Sequence, residues 1–277
     1  MNYFKSMNRF IPRFVTDLAK NRGLLWQLTV RNIEVRHKGS VLGLVWSFLN
    51  PLLMLSIYVV IFGFIFGGKF GEIADETKLD YALGIFLGLT LFQIVAEVLS
   101  VSPTAITNNP NFVKKVVFPL ELLPAANVGG ATFHLLISSC LVLLGVSLFG
   151  PGLHVGALWL PLILVPVILI CLGMSWFLSA LGVFFRDIGQ LMQFIILLLM
   201  YSSGIFYSVQ RRVPWVAWHW LRFNPFLLAI DLARNAVLWQ NPVNLKHMLY
   251  LYLFALGTCL IGYASFKKMK SGFADVL

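Results

Sequence analysis

The apolar residues of this chain fall in long runs, each close to the roughly 20 residues needed to cross about 30 Å of hydrocarbon. The runs predict membrane-spanning helices at Leu44–Gly67, Tyr81–Val101, Leu122–Phe149, Ala157–Phe185, Ile188–Val209 and Met248–Phe266. Polar breaks separate them: Gly68–Asp80, a Gly/Pro turn at Gly150–Gly156, and a tight charged turn at Arg186-Asp187. Just before the first run, Arg36, His37 and Lys38 form a basic collar, Gly39 and Ser40 break the pattern, and Trp46 stands near the boundary. Basic residues followed by a Trp at headgroup depth mark a helix that starts from the cytoplasmic side. Further upstream, Leu24, Leu25, Leu28, Ile33 and Val35 alternate with Arg31, Asn32, Glu34 and Arg36, a spacing compatible with an amphipathic helix lying in the membrane interface.

The stretch Gln210–His247 fits neither a loop nor an ordinary span. It is too apolar and aromatic for the first, and too interrupted by Pro214, Arg222, Asn224-Pro225, Asp231 and Arg234 for the second. Two short helices split at Asn224-Pro225 and dipping into the outer interface are one solution, since non-helical backbone is tolerated at depth where protein covers it. A surface-lying aromatic belt anchored by Trp215, Trp218 and Trp220 is the other. The expected fold is therefore an all-α membrane protein with six transmembrane helices, an N-terminal amphipathic interface helix and re-entrant helices between spans 5 and 6. Its parts are a cytoplasmic N-terminal region (1–43), a six-span domain (44–266, with a loop at 107–121 and an outer region at 210–247) and a cytoplasmic tail (267–277).

Composition agrees with the pattern. Charged residues make up 12% of the chain and hydrophobic ones 59%, against about 25% charged in a soluble domain. The net charge of +10 reads as topology and contact with anionic headgroups rather than nucleic acid. With both ends inside, the cytoplasmic side holds 14 basic residues: Lys5, Arg9, Arg13, Lys20, Arg22, Arg31, Arg36, Lys38, Lys114, Lys115, Arg186, Lys267, Lys268 and Lys270. The outer side holds seven: Lys69, Lys78, Arg211, Arg212, Arg222, Arg234 and Lys246. That bias favours an even number of spans with both termini cytoplasmic. No signal peptide is evident, because residues 1–20 lack a continuous apolar core.

Motifs for catalysis are missing. Gly63–Lys69 matches half of a phosphate-binding loop, but Phe70 stands where a Mg²⁺-binding hydroxyl is needed and the match ends a membrane span. Cys140, Cys171 and Cys259 lie inside apolar runs without metal spacing and read as packing residues. Within the spans, His134 reads as a packed, hydrogen-bonded side chain. Glu97 is a functional candidate by its depth, although pairing with a nearby cation or helix N-terminus is the simpler expectation. Small faces at Gly84/Gly88 and Gly129-Gly130 permit close helix approach. In the loop Thr107–Glu121, Asn108 to Asn111 can cap a short helix over Phe112–Val117 that ends at Pro119. Its Lys114-Lys115 pair among apolar neighbours suits either a groove on a partner protein or anionic lipid.

Five stretches, in order, then resemble one family: Arg31–Pro51 (RNIEVRHKGSVLGLVWSFLNP), Asn109–Pro124 (NPNFVKKVVFPLELLP), Ala180–Gln190 (ALGVFFRDIGQ), Tyr201–Tyr207 (YSSGIFY) with Asn224-Pro225, and Phe266–Leu277 (FKKMKSGFADVL). The chain looks like the ABC-2-type permeases that export cell-envelope polysaccharide. One departure is SSGIFY, where the family commonly has Pro after Ser.

The resemblance implies a homodimer with two copies of a separate nucleotide-binding subunit, which carries the ATP and Mg²⁺; this chain would hold no cofactor and would not be an enzyme. Asn109, Pro110, Asn111, Phe112, Lys114, Lys115 and Phe118 would form the helix that couples to the ATPase. The segment around Leu24–Lys38 would rest beside it. Arg31, Arg36 and Lys38 would stand at the entrance for an undecaprenyl-linked glycan with its pyrophosphate, although setting topology explains them as well. Phe62, Phe66, Phe92, Tyr201, Phe206, Tyr207, Asn224 and Pro225 would line a channel and outer gate, although most aromatics in membrane helices simply pack. The expected place is the bacterial inner membrane. Export of teichoic acid or a small molecule, and an integral-membrane enzyme acting on lipid-linked sugars, remain as alternatives.

Overall fold

The computed structural model describes residues 15–66, 68–72, 76–113, 118–208 and 215–277. Among these the chain is helical, without strands. Helix α1 covers Arg22–His37. Helix α2 covers Trp46–Tyr58 and continues as a π-helical stretch, Val59–Ile65. Then come α3 (Lys78–Val101), the short α4 (Pro110–Val113), α5 (Leu122–Phe149), α6 (Leu160–Phe184), α7 (Ile188–Ser202), α8 (Trp215–Leu221), α9 (Pro225–Val237), α10 (Leu245–Met269) and α11 (Phe273–Val276).

Among the described residues five helical segments are long and apolar enough to cross a membrane: Gly43–Ile65, Lys78–Thr104, Leu122–Phe149, Val155–Phe184 and Leu245–Val276. They match five of the six expected runs. The expected fifth span, Ile188–Val209, differs. Its helix stops at Ser202, 15 residues in, or about 22 Å at 1.5 Å per residue. The cause is local: Ser203–Tyr207 is a turn in which Gly204 adopts φ +62°, a conformation that ends helices and favours glycine.

Capping explains why α3 starts before its apolar run. Thr77 accepts from the Asp80 amide at 3.1 Å while Asp80 accepts from the Thr77 amide at 3.0 Å, a reciprocal capping box. Asn224 caps α9 through the amides of Phe226 (3.0 Å) and Leu227 (3.5 Å), with Pro225 at the first helical position. Asn244 caps α10 in the same way.

The central helix is α3, buried along most of its length between α5, α6, α7 and α9. Helices α6 and α10 meet backbone to backbone, because a Cβ at Gly262 would collide with the Gly173 carbonyl. A Cβ at Gly182 would likewise collide with the carbonyl of Pro103. Helix α2 is the opposite case, with only 6% of its span buried. Gly63 lies within the π-helical stretch rather than after a strand, and Phe70 is packed against Tyr81 and Trp239 with ring centroids 4.8 and 5.8 Å away.

A charge cluster fixes which elements share an end. The Tyr263 hydroxyl donates to Asp17 at 2.6 Å, and Lys267 reaches both Asp17 (3.2 Å) and Glu121 (2.6 Å). Lys270 donates to the second Glu121 oxygen at 2.9 Å. The segment around Asp17, the start of α5 and the end of α10 therefore sit together. The opposite end holds the start of α3, the turn after α7, and α9.

Candidate functional site

Three features gather the residues that the sequence singles out. The first is a polar groove on the Glu121 side. Helix α1 reaches it by packing on α5: Thr29 lies against Gly129, where a Cβ would be 2.6 Å from its hydroxyl, and Asn32 donates to Asn127 at 2.8 Å. Arg36, on the last turn of α1, donates to Glu97 of α3 at 2.7 Å. Glu97 thus has the cationic partner that its depth required. The guanidinium is 42% exposed, so the pair contributes less than a fully buried one. Two adjoining clefts open around this pair, of about 360 and 440 Å³, and both are lined by Arg36, Glu97 and His134. Arg31 and Lys38 remain exposed at the surface.

The second feature is the loop between α3 and α5. Phe112 and Phe118 stack at 4.3 Å with an interplanar angle of 26°, and the Arg31 guanidinium lies 5.9 Å from the Phe112 ring. The loop helix starts at Pro110, earlier than the spacing suggested, and the Asn109 side chain donates back to the Ala105 carbonyl at 3.0 Å. Asn111 is exposed. Lys114 and Lys115 lie outside the described residues. At the loop's end, buried Glu121 receives Lys267 and Lys270, and its carbonyl accepts from the Trp176 indole at 2.9 Å. Burial pushes the Glu121 carboxyl up, but the hydrogen bonds from Lys267, its own amide and Lys270 together outweigh it and hold the group below the ordinary carboxylate range.

The third feature lies at the opposite end. Phe62 stacks on Phe206 (5.4 Å) and on Phe66 (5.8 Å), and Tyr201 lies 6.3 Å from Phe206. Tyr207 donates to the Tyr201 carbonyl at 2.6 Å. Five of the expected aromatics therefore gather around the break in α7; Phe92 does not and is buried in the α3 core. Asn224 also joins the break, its amide facing Ser202 and Ser203 at 3.3–3.4 Å. Of the two expectations for Gln210–His247, two helices split near Asn224-Pro225 are present. Helix α9 is buried rather than lying on the surface, while Trp220 is 80% exposed. Residues 210–214 are outside the described ones.

Sequence reasoning missed the residue that organises this end. Arg234, 1% exposed, donates to the carbonyls of Gly84 (3.0 Å), Gly204 (2.8 Å) and Ile205 (2.5 Å). Its guanidinium lies 4.2 Å from the Phe70 ring centroid. It ties α3, the broken end of α7, and α9 together. In the sequence Arg234 stands out only as one of two charges, with Asp231, that interrupt an apolar segment.

Relatives match the chain over 71–92% of its length. It is 28% identical to the O-antigen export system permease protein RfbA of Klebsiella pneumoniae over 92% of this chain and 95% of that protein. It is 26% identical to the Myxococcus xanthus protein of the same description, over 71% of this chain and 73% of the relative. The polysialic acid transport protein KpsM of Escherichia coli is 26% identical over 87% and 91% of the two chains. A family model described as ABC-2 type transporter matches residues 23–238. The chain belongs to the ABC-2 type transporter family, whose members are membrane subunits of transporters.

Proposed function

We propose that this chain is the transmembrane subunit of an ATP-driven exporter that moves lipid-linked, O-antigen-like polysaccharide out across the bacterial inner membrane. The observation that carries the reading is the near full-length similarity to permeases described by O-antigen and polysialic acid export. The geometry supports it with a polar groove at one end of the bundle and a cluster of aromatics at a broken helix at the other. A long glycan needs a path with many weak contacts, and aromatic faces stack on sugar rings without demanding one sequence.

In this reading the polypeptide crosses the membrane six times, the sixth crossing being α7 completed by the turn and α9. Both termini are cytoplasmic. Helix α1 is the interface helix, and α4 with Phe112, Phe118 and the Lys114-Lys115 pair seats on a separate nucleotide-binding subunit. Two copies of the permease pair with two of that subunit, and α8 and α9 gate the outer end beside Phe62, Phe66, Tyr201, Phe206, Tyr207, Asn224 and Pro225. The substrate carries an undecaprenyl pyrophosphate, met at the cytoplasmic surface by exposed Arg31 and Lys38.

The test is the location of glycan in a strain lacking this chain, read by surface labelling against lysate. Lipid-linked polymer building up inside a bare cell is the expected result. Unchanged surface glycan would overturn the reading, and a strain that never makes the polymer would favour an enzyme on lipid-linked sugars. The double variant Phe112→Ala, Lys114→Glu is expected to insert normally yet leave the surface bare; normal surface polymer in it would remove the coupling role from this loop.

A further inference from the structure

The cleft between α2, α3 and α5 contains an anomaly. Thr90, on the central helix, is 5% exposed and its Oγ1 has no hydrogen-bond partner among the described residues. A threonine within a helix usually relieves its hydroxyl by bonding the carbonyl four residues back, as Thr132 does to Val128 and Thr258 to Phe254, both at 2.8 Å. Thr90 does not, and it lines the cleft of about 440 Å³, a size within the range of small-molecule sites. Buried polar groups without partners are rare enough that each calls for an explanation.

The rest of the lining says what would satisfy it. Asn50, Gln93 and Ser138 present amides and a hydroxyl, which both donate and accept, and Trp46 and Tyr58 add aromatic faces. Gln93 is exposed although its helix is otherwise largely buried. The charged residues of the lining are Arg36 and Glu97, and they pair with each other at 2.7 Å. The cleft therefore offers hydrogen bonding in both directions, with its one positive charge already compensated. That chemistry suits a hydroxyl-rich neutral ring and disfavours a phosphate, whose charge would need an unpaired cation.

We propose that this cleft binds an uncharged sugar unit, with Thr90, Gln93 and Asn50 as its hydrogen-bonding residues and Trp46 or Tyr58 as the stacking face. The inference rests on the export reading and deepens it: the glycan touches the permease here, and the pyrophosphate is held elsewhere.

The isosteric variant Thr90→Val tests it in the complete transporter. Removing a hydroxyl that serves only the fold relieves an unsatisfied polar group, so export stays at the wild-type rate and thermal stability holds or rises. Removing one that serves a sugar lowers surface polymer per permease molecule about three- to tenfold, the worth of one hydrogen bond, with stability again holding or rising. The second outcome is expected; the first overturns the assignment. Independently, a benzoylphenylalanine photo-crosslinker at Gln93 is expected to give, in polymer-producing cells, an adduct that reacts with polymer antibody and shrinks on glycosidase digestion. The same probe at Phe194, 72% exposed on α7, serves as the control and should give none. No adduct at Gln93 beside normal wild-type export, or an adduct with lipid phosphate and no sugar, overturns the sugar site alone. Surface polymer that does not depend on this chain overturns the export reading, and this assignment with it.

Discussion

Arg234 shows what a single side chain can do for a broken membrane helix. Its three acceptors are 150, 30 and 29 residues away in sequence, so no local pattern could have revealed them; the residue reads in sequence only as one more outer-side cation. Replacing it by Met leaves the Gly204 and Ile205 carbonyls, beyond the end of α7, without this donor, at about 1–3 kcal/mol for each unsatisfied group. Arg234→Met is expected to melt at distinctly lower temperature in detergent, and Arg234→Lys to recover only part, because a compact ammonium cannot fork to three acceptors. An unchanged melting temperature in the Met variant would mean that water takes over the guanidinium's role. Glu121 makes a separate prediction from its depressed pKa. Its carboxyl titrates at higher pH unfolded than folded, so its contribution to stability is present above the unfolded value and is lost as pH falls through the folded one. The stability gap between wild type and Glu121→Gln, measured by thermal melts, should therefore hold from pH about 7 to about 5 and shrink as pH falls below about 4.5. A gap that stays constant would show that Lys267 and Lys270 hold the glutamine as well as the carboxylate.

At the scale of elements, what was legible in the sequence was whatever a continuous apolar run could carry. The run Leu122–Phe149 has the same bounds as α5, because no Asp, Glu, Lys or Arg interrupts it and Gly150 ends it. Helix α3 extends three residues beyond its apolar run, Lys78 to Asp80, since a capping box is built from polar residues that hydropathy discards. Helix α7 is shorter than its run because a turn costs nothing in hydropathy when it is made of Ser, Gly, Ile and Phe. Glycine pairs followed the same logic: the sequence pointed to Gly84/Gly88 and Gly129-Gly130, whereas the backbone contact between α6 and α10 sits at Gly173 and Gly262, which no short motif joins. Gly262→Ala is expected to lower stability by about 1–3 kcal/mol, as overpacking does, since two backbones must separate. Gly257→Ala on the same helix faces open space and should be neutral or slightly stabilising, because alanine is the better helix former. Equal melting temperatures for the two variants in detergent would show that α6 and α10 slide apart without cost.

For the whole molecule, the proposed number of crossings rests on which segments meet. Asp17, Glu121, Lys267 and Lys270 lie in one cluster, and a chain that returns to the side on which it began must cross an even number of times. Among the described residues five helical segments are long enough to cross alone; in the proposed topology of six crossings the remaining passage is α7 with its turn and α9, the region that Arg234 braces. Basic residues then choose the orientation: the Arg36, Lys38, Lys267, Lys268 and Lys270 side is expected in the cytoplasm. Single cysteines in a background with Cys140, Cys171 and Cys259 replaced can read this directly. At exposed positions, Arg22→Cys and Ser271→Cys should react with a membrane-impermeant maleimide only in inverted vesicles, and His154→Cys and Asn241→Cys only in intact spheroplasts. The opposite pattern at all four would invert the charge argument and leave the even count intact. Labelling of Arg22→Cys from one side and Ser271→Cys from the other would make the count odd. The broken helix would then be a hairpin that returns to its own side, and the aromatic cluster around Phe206 could not be the exit of a channel.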